Sequence, residues 1–229
     1  GLVLAQPGPG MTTDTLRRAI CDTGASLYAR AYVHASAGNI SVKLDDGGFL
    51  ITPTDACLGT LLPQDLAHVD AQGVQRSGAR ASKTLALHQA IYQAAPQARC
   101  IIHTHATHLV ALTLKGVWHV DDIVPPITPY FVMKVGHVPL MGYQRPGHPD
   151  VATQVRQTLQ RFEQRGLPLR AVMLERLGPV VWHESPAQAS AVLEELEETA
   201  KLWLLTQGQV PALDEHRIDE LRQSFGAIW

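Results

Sequence analysis

Two histidines two residues apart, His103 and His105 in Cys100-Ile-Ile-His-Thr-His-Ala-Thr-His108, are the residues of this chain best spaced to do chemistry. An apolar run leads into them. Side chains on a strand alternate with a period of two, so both imidazoles face one side if the segment is extended. Neutral imidazole is a common ligand of zinc and its relatives, and such a pair supplies two of the three or four donors a divalent transition metal needs. A bare pair of this kind also occurs as satisfied core or surface histidines, so the surrounding residues have to decide. His108 falls outside the register.

A second set of residues suits an anion. The small residues of His34-Ala-Ser-Ala-Gly-Asn-Ile-Ser41 let the backbone approach a ligand and present amide donors. Gly-Asn also makes an ordinary turn into a strand. The hydroxyls of Thr52-Pro-Thr-Asp55 are candidates for phosphate contact, with Asp55 opposing it, and Lys83 in Arg80-Ala-Ser-Lys-Thr84 is the cation best placed to meet a negative group. A solvated surface lysine is the plain alternative.

These residues need elements to position them. Apolar spacing predicts an amphipathic helix from Thr12 to about Val33, then strands over Ile40–Leu44 and Gly48–Thr52 joined by the tight turn Asp45-Asp46-Gly47-Gly48. A further strand pair is expected over Leu66–Asp70 and Gly73–Gln75, and a helix over Leu85–Ala94, stopped by Pro96. Arg99–His105 reads as the histidine strand, handing over to a helix at Thr107–Leu114, a junction of the kind that sites favour. A stiff proline-rich connector ends at Tyr130. Beyond it, β-type runs cover Phe131–Gly136 and Val138–Tyr143, and Val151–Phe162 returns to helical spacing. Apolar runs Leu169–Leu174 and Pro179–Trp182 follow. Ser185-Pro186 caps a helix running to about Thr206, whose acidic Glu194–Glu198 face reads as solvated.

With 229 residues, 45% apolar and 17% charged, the chain is long and apolar enough for a full core. A formal charge of -2 suggests no nucleic-acid or membrane partner, and no stretch reaches transmembrane length. Three cysteines without C-x-x-C spacing fit reduced thiols in a cytoplasmic enzyme. Residues 1–10 read as a cloning remnant and 11–229 as one domain.

The order and spacing of Ser36-Ala-Gly-Asn-Ile-Ser41, Thr52-Pro-Thr54, Ser82-Lys83 with Leu87-His88, Ile102-His-Thr-His105, Thr128-Pro-Tyr-Phe-Val-Met-Lys-Val-Gly136, Gly178-Pro-Val-Val181 and Leu193–Leu202 resemble the class II aldolase/adducin-head family. The likeness is strongest to its branch of 3-oxo-tetronate 4-phosphate decarboxylases. The resemblance implies a three-layer α/β/α sandwich with a largely antiparallel central sheet, assembled as a homotetramer with sites between subunits. It also implies a divalent metal, zinc or manganese, held by three histidines and polarising the carbonyl or hydroxyl of a small sugar acid or its phosphate, so that an enediolate forms. The family's phosphate cradle maps onto Ser36, Gly38, Asn39, Thr54, Ser82 and Lys83.

Two positions depart from the pattern. The family's acid/base glutamate, four residues before His88, is Thr84 here, a poor general base without an activating neighbour. Its third metal histidine, just before Gly178, is Leu177. If residues 174–177 continue as strand, Glu175 projects on the same face as Leu177 and becomes a substitute oxygen ligand; an ion pair with Arg176 or simple solvation is the alternative. His137 and His148 are further candidates by residue type alone. Tyr130 becomes the candidate proton donor, in the region where the family's tyrosine reaches a neighbouring subunit's site. Two functions follow: a metal-dependent lyase, decarboxylase or aldolase, acting on a small sugar acid or sugar-acid phosphate; or a catalytically degenerate member serving as a binding or assembly module.

Overall fold

The computed structural model describes residues 9–229, with side chains from Thr13 onward. Residues 1–8, most of the expected remnant, lie outside the described residues, and residues 9 and 10 already belong to the first helix. Eight strands form one sheet: β1 (Asn39–Lys43), β2 (Phe49–Ile51), β3 (Ala67–Val69), β4 (Gln75–Ser77), β5 (Cys100–His103), β6 (Leu140–Met141), β7 (Ala171–Leu174) and β8 (Gly178–His183). Their order across the sheet is β4-β3-β2-β1-β5-β8-β7-β6. The helices are α1 (Pro9–Ala29), α2 (Leu85–Ala94), α3 (Thr107–Lys115), α4 (Pro149–Gln164), α5 (Pro186–Leu205) and α6 (Glu215–Phe225).

The central strands are apolar at successive positions because both faces of the sheet are covered. On one face Ile40, Ile102 and Val181 pack with Ile20 of α1, Leu109 of α3 and Leu193 of α5. On the other, Ile101, Val172 and Val180 pack with Ile91 of α2 and with Val155 and Leu159 of α4. The period of two thus sends Ile101 and Ile102 to opposite cores, and the result is three layers. The sheet itself is mixed: β6 runs parallel to β7, and the other ladders are antiparallel.

Four local expectations change. Residues Phe131–Val135 form a single π-helical turn rather than a strand. Its start is set by Thr128, whose Oγ1 accepts from the Phe131 N–H at 3.2 Å, and its end by Gly136 at φ 89°. The histidine strand stops at His103, so His105 lies just past it. Residues 175–177 turn instead of extending β7, with Arg176 left-handed at φ 65°. The helix α6, which sequence reading left blank, packs Ile218 and Leu221 on Val132 of the π-turn. Among the described residues no helix is long and apolar enough to cross a membrane.

Candidate functional site

The antiparallel ladder between β1 and β5 places Asn39 opposite His103, so the small-residue loop before β1 opens beside the histidines. Gly38 is required there. Its φ is 87°, and a Cβ would stand 2.9 Å from the His103 carbonyl oxygen. A cavity of about 390 Å³ opens at this end of the sheet, a size ordinary for a small ligand.

His103 and His105 both line this cavity, their ring centroids 5.3 Å apart. His103 is buried, and its Nδ1–H donates to the Pro179 carbonyl at 2.9 Å. A carbonyl can only accept, so the lone pair sits on Nε2. Burial, reinforced by neighbouring His105 and only partly offset by the Pro179 bond, pushes the His103 pKa down to about 4. His105 is lowered by burial and then by His34. His105 keeps its place past the strand end because the chain there is pressed against β8. A Cβ on Gly178, at φ 140°, would sit 1.9 Å from the Thr104 carbonyl oxygen.

The same cavity carries the anion candidates. Ser36, Gly38, Asn39, Thr54, Ser82 and Lys83 all line the cavity. The ammonium of Lys83 lies 3.6 Å from Asp55, both side chains being exposed, so the carboxylate expected to oppose an anion is instead the partner of the cation. Thr84 lines the cavity too, but its Oγ1 partner is Ser82 Oγ at 2.9 Å, a hydroxyl rather than a base.

Of the other candidates, His148 gathers here and the rest do not. The strand alternation invoked for Glu175 fails at the turn. Leu174 and Leu177 line the cavity, while Glu175 is not among its walls. Tyr130 is 60% exposed at the head of the π-turn and does not line its own chain's cavity. His108 turns away to Glu197 at 3.2 Å, and His137 stacks on Trp229 at 3.9 Å between centroids. His148 does reach the cavity, where its Nδ1 accepts from the Asp150 N–H at 3.0 Å and caps α4.

Sequence reading passed over His34 and Arg145, both of which line the cavity. The His34 ring stands edge-on to His105 at 6.2 Å. Its position directly before the Ser36–Ser41 loop was the available signal; Arg145 lies in a turn that carried none.

The metal implied by the family resemblance finds two imidazole donors here, with an alkyl wall at the third position. No three His, Cys, Asp or Glu side chains among the described residues are grouped to hold an ion. The side chains present therefore fall short of a three-histidine holder.

Residues 18–204 match the family described as the Class II Aldolase and Adducin N-terminal domain. A Cupriavidus necator protein named 3-oxo-tetronate 4-phosphate decarboxylase is 53% identical over 224 residues, covering 95% of this chain and 99% of the relative. An L-fuculose phosphate aldolase of Escherichia coli is 26% identical over 220 residues, 94% of this chain and 96% of the relative. Among solved structures, YgbL of Klebsiella pneumoniae superposes with a TM-score of 0.84 at 39% identity, covering 92% of this chain and 99% of that one. An L-fuculose 1-phosphate aldolase reaches 0.80 at 21% identity over 93% and 96%, a likeness of fold. The chain belongs to the class II aldolase and adducin N-terminal domain family.

Proposed function

We propose that this chain is a lyase that decarboxylates a phosphorylated four-carbon 3-oxo acid. The observation that carries the reading is the pairing, in one cavity, of an anion-suited wall with a buried neutral imidazole and an alkyl wall, in a chain 53% identical to a protein named for that reaction. In a 3-oxo acid the C1–C2 bond breaks as carbon dioxide leaves. Its electron pair passes to C2–C3 and onto the carbonyl oxygen, giving an enediolate that then takes a proton at C2.

Each wall has a part. Lys83 and Arg145, with the hydroxyls of Ser36 and Ser82, hold the phosphate. Leu174 and Leu177 make the surroundings of the carboxylate apolar, which disfavours the charged group relative to neutral carbon dioxide. Loss of carbon dioxide itself delivers the electron pair, so a base as strong as the family glutamate is unnecessary and a proton donor suffices. Two residues are candidates: His34 within the cavity, and Tyr130 reaching in from another copy of the chain. Zinc or manganese, the metals expected for the family, would have His103 and His105 as donors and would need a third.

The test is release of carbon dioxide from 3-oxo-tetronate 4-phosphate and from its unphosphorylated form, with metal content measured on the same preparation. Turnover of the phosphate ester, with Lys83→Met raising KM for it by ~10-fold or more and changing little for the other acid, supports the reading. Equal losses for both acids remove the phosphate role from Lys83.

The replacement of the family glutamate and third histidine by Thr84 and Leu177 favours a second reading, a binding or assembly module. Tight binding of the phosphate ester with no turnover, by protein carrying whatever metal it takes up, selects that reading.

A further inference from the structure

The sequence matches gave His88 no task, yet it is a fully enclosed polar side chain near the cavity. It is 0% exposed, and both ring nitrogens are bonded: Nδ1 to Ser41 Oγ at 2.6 Å and Nε2 to Asn39 Oδ1 at 2.6 Å. Ser41 Oγ in turn lies 2.7 Å from the Tyr92 hydroxyl. The chain is built from two periodicities meeting. Asn39 and Ser41 are i and i+2 on β1, and His88 and Tyr92 are i and i+4 on α2.

The hydrogens in this chain can run only one way. Burial, with His103 adding to it, pushes the His88 pKa down to about 3, so the ring is neutral and carries one N–H. The Tyr92 hydroxyl is buried, so its hydrogen needs an acceptor, and Ser41 Oγ is the hydrogen-bond partner it has among the described residues. The Tyr92 hydrogen therefore goes to Ser41. Ser41, having accepted, gives its own hydrogen to His88 Nδ1, and the ring must then carry its hydrogen on Nε2 and donate it to Asn39. Asn39 meets that N–H with its carbonyl oxygen. Its amide nitrogen, which has no protein acceptor among the described residues, is left on the cavity side.

We propose that His88 is a positioning residue: the one-way chain Tyr92–Ser41–His88 locks Asn39 with two N–H groups toward the cavity, so that this corner selects a ligand group that only accepts hydrogen bonds, an anionic phosphate or carboxylate oxygen. A rotated Asn39 amide would set N–H against N–H at His88 and turn a carbonyl oxygen toward the anion. The lock makes that state costly on both sides. The proposal rests on the anion reading of the cavity given above.

The test has two arms. Long-range 15N–1H spectra of the labelled wild-type protein should show His88 protonated at Nε2 and bare at Nδ1 throughout the neutral range. A proton on Nδ1, or an imidazolium, overturns the chain's direction and with it the proposal. Binding of inorganic phosphate is then titrated. His88→Leu should weaken it by about tenfold or more, and His88→Gln, whose amide can still donate to Asn39, should restore most of the loss. In turnover the same change should raise KM for the phosphate ester and leave kcat nearly unaltered. A folded His88→Leu protein that binds phosphate like the wild type overturns the role of His88 alone. A wild-type protein that takes up no phosphate overturns the anion reading beneath it, whichever tautomer is found.

Discussion

A single alkyl side chain, Leu177, stands where the family resemblance implies a third metal-binding histidine. Leu177 lines the cavity with His103, whose Nε2 has no hydrogen-bond partner among the described residues and whose ring is neutral at physiological pH. Leu177→His should therefore raise zinc affinity by about 10- to 100-fold, read by competition with a chelating dye; an unchanged affinity would mean that position 177 does not point at the histidine pair. The two buried imidazoles also carry a stability signature. His103 and His88 hold folded pKa values of about 4 and about 3 against 6.5 for the ordinary group, so between those values and 6.5 the unfolded chain binds more protons than the folded one. Stability then rises with pH through this window and is lost on acidification below 6.5, by about 1.4 kcal/mol per pH unit for each group. Urea unfolding at about pH 7 and about pH 5 measures it, and replacing His103 with Gln should reduce the pH dependence without removing it, because His88, His105 and His183 are lowered in the same direction.

At the scale of elements, the helix that follows the histidines is held from a distance. The Glu197 carboxylate on α5 accepts the Leu109 N–H at 2.9 Å and the His108 N–H at 3.3 Å, so it caps the start of α3. Glu197→Ala should cost about 1–3 kcal/mol in urea unfolding, against under about 0.5 kcal/mol for exposed Glu198→Ala. Equal effects at both positions would make the cap irrelevant. An acidic run on a long helix reads as a solvated face because its partner lies 88 residues away. Where the signal is local, sequence suffices: the apolar spacing of Leu85–Ala94 and the stop at Pro96 give α2 with the bounds it has. The run Phe131–Val135 misleads for the opposite reason. Its residue types favour strand, but the Thr128 cap, Gly136 and the docked α6 impose a helical turn, a tertiary override of local preference. The site divides the same way. The anion loop and the histidine pair were legible as spacing, whereas His34 and Arg145 join them only once the sheet has brought distant loops to one end.

At the scale of the whole molecule, Tyr130 raises the question of how many chains make one site. The residue is 60% exposed and absent from its own cavity, and the prolines before it make the segment that carries it stiff. An outward tyrosine that does not line its own cavity would take a catalytic part in the cavity of a second copy. We propose the homotetramer expected from the family resemblance, with each cavity completed by the neighbouring copy's tyrosine. Such an arrangement makes the site divisible between two damaged chains. Tyr130→Phe should slow decarboxylation by ~10²-fold or more if the phenol is the proton donor, and Lys83→Met should disable the phosphate wall of the same site. Neither variant can repair itself. Co-refolded in equal amounts, they form mixed rings in which some sites take Lys83 from one variant and Tyr130 from the other, and random assembly makes that fraction about one quarter. Recovery of about one quarter of wild-type turnover, appearing only after mixing, is the expected outcome. If mixed rings form by native mass spectrometry and turnover stays at the level of the separate variants, Tyr130 does not act across the interface. His34→Gln then becomes the variant expected to abolish proton delivery from within the chain.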